Sequence, residues 1–151
     1  MADPGGPFFL GHPERSISKE DADHVDCIHT SIFFPLMIPH TVGYFQNVCH
    51  RDFYPNGGGD LLRSQPGCEY SYLAWCSHFK VLFDLDAGIG FCDYRTVRCP
   101  HLGNFERQNC TPSEVRLGYR PPESMDVPEE GIYWVQVPKN PYECPQYTGD
   151  P

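Results

Sequence analysis

A histidine placed directly behind a short cysteine-bounded segment is a side chain that could move protons. His78 closes the run DFYPNGGGDLLRSQPGCEYSYLAWCSH over 52–78, which also holds a strand end, a glycine-rich turn and the cysteines Cys68 and Cys76. Seven residues, EYSYLAW, separate those cysteines. If bridged, they close a small, mostly aromatic flap with His78 at its exit, beside Tyr70, Tyr72 and Trp75. Imidazole titrates near neutrality, which suits a general base held in such a place. A histidine in an ordinary loop fits the same residues, and position alone leaves both readings open.

The elements that must position His78 come from a chain of 151 residues, enough for one domain or a piece of one with a modest core. Sixteen Pro and fourteen Gly imply extensive turn and loop. A net charge of −9 disfavours nucleic acid and anionic membrane surfaces as partners, while contact with neutral lipid would depend on apolar patches. Eight cysteines without a Cys-x-x-Cys pair form no recognisable zinc pattern, so disulfides and an oxidising compartment are expected. The N-terminus, MADPGGPFFLGHPE, has neither a basic n-region nor an apolar h-region, which conflicts with that secretory composition. No stretch approaches transmembrane length.

Taken in order, residues 1–15 read as a Pro/Gly loop. Ser18-Lys19-Glu20-Asp21 has capping-box spacing and predicts a short helix. Val25 to Thr30 suits a strand. Residues 31–49 are apolar but broken by Pro35 and Pro39, so they predict a loop that packs on the core or touches an apolar ligand. Asp52-Phe53-Tyr54-Pro55 ends a strand, and Asn56-Gly57-Gly58-Gly59 turns the chain. A helix is predicted from Ser77, with Val81, Leu82 and Leu85 inward and a stop at Gly88. Cys99 and Cys110 enclose ten residues, a second possible staple worth roughly 2.5–3 kcal/mol on the chain-entropy model. Gly131 to Val137 alternates and predicts a late strand with one wet face, followed by a Pro-rich tail from about 138.

Several of these strings resemble the pancreatic-lipase family of α/β-hydrolases, especially its insect lipase and phospholipase A1 members. Asp3-Pro4-Gly5-Gly6-Pro7-Phe8 is similar to the family's Leu-Asp-Pro-Ala-x-Pro-x-Phe segment. His24-Val25-Asp26-Cys27-Ile28-His29-Thr30 is similar to Phe-Val-Asp-Val-Ile-His-Thr. His50 and Asp52 through Gly58 match Gly-His-x-Asp-Phe-Tyr-Pro-Asn-Gly-Gly. Gln65-Pro66-Gly67-Cys68 and Cys76-Ser77-His78 match the edges of the family's lid. Cys99 and Cys110, then Leu117-Gly118, fit its tail pairing and Met-Gly motif. The resemblance runs from residue 3 to about residue 144.

The resemblance implies an α/β fold: the C-terminal part of an α/β-hydrolase sheet plus a short lid, without the N-terminal strands and the nucleophile elbow. All of 1–151 would be that C-terminal portion. It implies Asp3 as the acid that orients His78, and His78 as the base serving a serine in a Gly-x-Ser-x-Gly elbow. It also implies a lid disulfide Cys68–Cys76 and a structural disulfide Cys99–Cys110, and leaves Cys27, Cys49, Cys92 and Cys144 without assigned partners. None of the serines, at 16, 18, 31, 64, 71, 77, 113 and 124, lies in Gly-x-Ser-x-Gly. Acid and base without a nucleophile cannot run acyl transfer, so this chain alone is expected to be inert. Either a truncated gene model or a shortened paralogue would give that result, and either would leave strand edges and an apolar face for another part or partner to cover.

Departures from the family pattern are local. Phe79-Lys80-Val81 stands where x-Arg-Ala is usual, Cys49 and Arg51 flank His50, and Ser31 follows Thr30 in place of an acidic or amide residue. Ser18 stands where calcium-binding members have an acid, so no metal or cofactor is expected. A seven-residue lid resembles the phospholipase A1 type and implies a lipid or phospholipid ester substrate outside the cell. The competing function is a non-catalytic lipid-binding or protein-interaction module, of the carrier or yolk-protein kind. A disulfide-rich binding domain unrelated to lipases conflicts with the order of the motifs.

Overall fold

Among the described residues the strands build one five-stranded sheet, and a period near 3.6 builds one long helix. The computed structural model describes residues 1–5, 12–32, 43–44, 46–59, 64–69, 75–102, 109–118 and 130–146. The apolar 33–42 segment, most of the EYSYLAW flap with Tyr70 and Tyr72, and the end of the tail lie outside the described residues. The strands are β1 (Asp26–Ile28), β2 (Arg51–Pro55), β3 (Arg95–Cys99), β4 (Thr111–Arg116) and β5 (Gly131–Val135), in the order β1-β2-β5-β3-β4. β1, β2 and β5 run parallel, while β3 is antiparallel to both β5 and β4. The result is a mixed sheet, a form compatible with part of an α/β fold.

Alternation divides the sheet into two faces. Ile28, Phe53 and Tyr133 are in register across β1, β2 and β5, and they join Val81, Ala87, Tyr94, Leu117 and Val135 in the main core. Cys27, Asp52 and Tyr54 point to the opposite face, where Cys27, Val25 and Cys49 form a smaller cluster. Every residue of β2 is buried, as expected of a parallel strand covered on both sides. Asp52–Pro55 ends a strand as expected, and that strand, Arg51–Pro55, lies inside the sheet. β5 is likewise interior, with Tyr133 and Val135 buried and Ile132 and Trp134 half-buried.

The capping box at Ser18 is present, but it caps a single 3-10 turn, Lys19–Asp21. Helix α1 runs from Trp75 to Gly90, so it starts before Ser77 and passes through Gly88. Its buried positions are Ser77, Lys80, Val81, Asp84 and Ala87, a spacing of three and four residues. Leu82 was expected inward and instead points out, because 100° of rotation from Val81 places it beside Phe79 and Phe83. Trp75, Phe79, Leu82, Phe83 and Ile89 are each more than half exposed on that outer face. On the inner face Lys80 Nζ lies 2.5 Å from Asp84 Oδ1. Burial pushes the Asp84 carboxyl up, and the hydrogen bond from Lys80 opposes the shift.

All eight cysteines are paired: Cys27–Cys49, Cys68–Cys76, Cys92–Cys144 and Cys99–Cys110. The first and third bonds supply the partners that the motifs left open. Cys27–Cys49 ties β1 to the turn entering β2, and Cys92–Cys144 ties the exit of α1 to the segment after β5.

The second half of α1 presses on the chain leaving β4. A Cβ at Gly88 would sit 2.6 Å from the Leu117 carbonyl oxygen. Gly118, at φ +81°, would meet the Gly88 backbone at 2.8 Å. Gly88→Ala is therefore expected to lower stability by about 1–2 kcal/mol despite the better helix propensity of alanine, read as a lower urea midpoint at unchanged slope.

At the strand entrances, the buried Arg51 forks onto both oxygens of Asp26, and its Nη2 lies 2.6 Å from His24 Nε2. Burial lowers the pKa of His24 from its ordinary value of 6.5, with Asp26 opposing the shift and Arg51 adding to it. The unfolded chain thus takes up this proton first as pH falls. Stability from this group is complete above about pH 6.5 and declines as pH drops through the folded pKa. Denaturant midpoints measured from pH 7.5 to 5 should fall in the native chain and fall less in His24→Gln.

Candidate active site

His78 lies in the first turn of α1, not in a loop, with its side chain 22% exposed. Asp3 is 1% exposed and holds the left-handed backbone value φ +41°, a conformation that aspartate tolerates better than most side chains. The chain arrives there as an added edge: Asp3 N–H donates to Ile28 O at 2.7 Å, and Ala2 bridges Ile28 in parallel. The carboxylate therefore sits at the C-terminal end of β1.

Four donors meet this carboxylate. Oδ1 accepts the backbone N–H of Thr30 at 2.7 Å and of Ser31 at 3.2 Å. Oδ2 accepts the hydroxyl of Ser31 and His78 Nδ1–H at 2.7 Å. Gly43 leaves room for the group, since a Cβ there would lie 2.8 Å from Oδ1. With Nδ1 protonated and held, the Nε2 lone pair is left to accept a proton. Among the described residues Nε2 has no hydrogen-bond partner, and the rings of Trp75 and Phe79 stand edge-on to the imidazole at 5.9 and 5.4 Å. This is the geometry of a general base with an orienting acid.

What holds α1 to that end of the sheet is Gln65. Its backbone N–H donates to Ser77 Oγ at 3.0 Å. Its side-chain amide donates to Thr30 O at 3.3 Å and Pro55 O at 2.8 Å, and its Oε1 accepts from Asn56 Nδ2 at 3.1 Å. One fully buried glutamine thereby joins the ends of β1 and β2 to the helix that carries His78, beside the Cys68–Cys76 bond. The motif string drew attention to Gln65 only as a lid edge. Its role was legible in principle, because a buried amide must find several partners.

A second histidine–carboxylate pair lies under the site. His29 Nδ1 is 2.8 Å from Tyr44 O and Nε2 is 2.9 Å from Asp52 Oδ1, with the ring stacked on Tyr54 at 4.5 Å. Both nitrogens face oxygen acceptors, so the ring ties the Tyr44 backbone to Asp52 in the interior. Donor atoms of Cys27, His29 and Asp52 fall within 4.8 Å of one another. The Cys27 sulfur is bonded to Cys49, and both nitrogens of His29 are engaged, so their donor capacity is already used. A wide cleft of about 960 Å³ lies at the opposite ends of β2 and β5, lined by Lys19, His50, Arg98 and Glu130, and neither Asp3 nor His78 faces it.

A carboxylate–imidazole pair at the C-terminal ends of parallel strands, with a helix packed on the sheet, is the arrangement of an α/β hydrolase. The chain belongs to the lipase family: the family described as Lipase matches residues 2–111. The chain is 35% identical to Lipase member H-A of Xenopus laevis over 116 residues, covering 72% of this chain and 23% of that protein. It is 45% identical to hepatic triacylglycerol lipase of Rattus norvegicus over 101 residues, 66% of this chain and 17% of the relative. Against pancreatic lipase-related protein 2 of Homo sapiens it is 36% identical over 105 residues, 69% of this chain and 20% of the relative. The chain thus spans about a quarter or less of these relatives.

Gln65→Ala would strip Thr30 O and Pro55 O of buried donors. The expected loss is about 1–3 kcal/mol of stability, measured by urea unfolding, and the His78 ring signals in an NMR spectrum should broaden as the helix start loosens.

Proposed function

We propose that this chain supplies the acid and base of a serine carboxylic-ester hydrolase acting on lipid. Asp3 orients His78, and the nucleophilic serine comes from a stretch of protein outside residues 1–151. The 2.7 Å contact between His78 Nδ1 and Asp3 Oδ2, in a chain of the lipase family, carries the reading. In the reaction His78 Nε2 takes the proton of the serine hydroxyl as its oxygen attacks the ester carbonyl. Asp3 stabilises the imidazolium that forms, and Nε2 then returns the proton to the leaving alcohol oxygen. The oxyanion donors accompany the serine.

The finer reading is a phospholipase A1-type enzyme, supported by the short segment between Cys68 and Cys76. Four disulfides support an extracellular site of action. The sheet is then the C-terminal part of an α/β-hydrolase domain, whose remaining strands cover what is left open here. A second reading is a non-catalytic lipid-binding module, favoured by the outer face of α1. There Trp75, Phe79, Leu82 and Phe83 are exposed together, and Asp86, the charged residue of that face, accepts from Tyr142.

Mapping the 5′ end of the transcript and assaying both products on p-nitrophenyl butyrate and phosphatidylcholine tests the proposal. A longer product bearing Gly-x-Ser-x-Gly should hydrolyse ester, with kcat lowered about 10³-fold or more by His78→Ala, whereas residues 1–151 alone should be inert. Turnover by residues 1–151 that His78→Ala abolishes would sink the claim of a serine supplied from outside. Lipid binding by a native product without turnover would favour the second reading.

A further inference from the structure

The Asp3 carboxylate carries a contact that orienting an imidazole does not require. Its Oδ2 accepts two donors, His78 Nδ1–H and the Ser31 hydroxyl, while the backbone amides of Thr30 and Ser31 already fix Oδ1. We propose that Ser31 is a positioning residue of the dyad, whose hydroxyl shares the Asp3 oxygen with His78 and so tempers the hydrogen bond between acid and base. This rests on reading Asp3 and His78 as acid and base.

The argument follows from counting lone pairs. A carboxylate offers about four acceptor directions, and here the four donors fill them all. Asp3 is buried, so water does not compete, and each donor matters more than it would at the surface. Two donors on one oxygen draw on the same negative charge, so each bond is weaker than it would be alone. Ser31 is itself buried, and its carbonyl accepts Gly43 N–H at 3.2 Å. Its backbone is therefore held independently of its hydroxyl. Deleting that hydroxyl leaves the two amide bonds to Oδ1 in place and frees Oδ2 for the imidazole alone. Among the described residues, Asp3 is the charged group bonded to the His78 ring, and its other close neighbours are the aromatic rings of Trp75 and Phe79.

Proton NMR of the 151-residue chain reads this without any catalysis, so its failure is separable from failure of the ester-hydrolase reading. In Ser31→Ala the downfield His78 Nδ1–H resonance should move further downfield and exchange more slowly with water, and Ser31→Thr, which keeps the hydroxyl, should restore the native position. An unchanged or upfield-shifted resonance in Ser31→Ala would overturn the proposal. Should Ser31→Ala fail to fold, the native chain still decides the matter. A protected Ser31 hydroxyl proton with a cross-peak to His78 Nδ1–H supports the proposal, and the lack of one refutes it.

Discussion

A buried negative charge sets the terms for this end of the molecule. Removing a carboxylate from water is costly unless donors replace the lost solvation, and hydrogen bonds to a charged group return about 1.5–3 kcal/mol each. Asp3 meets that requirement only where the end of β1 supplies two backbone amides, Ser31 turns its hydroxyl inward, and His78 comes within 2.7 Å. Each condition constrains another element. Residue 43 must be glycine to leave space, the first residues must run along the β1 edge, and α1 must begin where its first turn faces β1.

The helix meets its condition through covalent and polar ties at its start and packing along its length. The Cys68–Cys76 bond, Ser77 Oγ and Gln65 locate the first turn, while Val81 and Ala87 bury the inner face in the main core. At the far end Gly88 and Gly118 let helix and chain approach more closely than any side chain would allow. The result is an imidazole on a rigid element, supported from both ends, with aromatic rings beside it and, among the described residues, no hydrogen-bond partner on Nε2. Such preorganisation lets a proton move without rearranging the surroundings.

How much was legible beforehand depended on the kind of signal. Asp3, His78 and the four cysteines near the lid and tail stood out because motif strings mark them, and the structure brings Asp3 and His78 into contact. Val81 was placed correctly by period. Leu82 was not, since a short apolar run does not say which of two adjacent residues faces in. β3 and β4 went unread because RTVRC and TPSEVR are charged, and Pro112 weakens the strand signal. β4 tolerates that composition as an edge strand with half of its residues exposed. Gln65 and Ser31 were noted as lid edge and departure, but what they bond to depends on residues that are distant in sequence.

By itself the sequence determined which side chains could move protons, that cysteine cross-links were in play, and that a helix begins near the Cys-Ser-His string. These are properties of residue type and local spacing. Tertiary structure alone decided that Cys27 takes Cys49 and Cys92 takes Cys144, and that Ser31 joins His78 on one oxygen of Asp3. Those contacts arise because parallel strands are joined by long crossovers. Residues far apart in the chain then meet at the strand ends, where a buried charge must collect its donors from several segments at once.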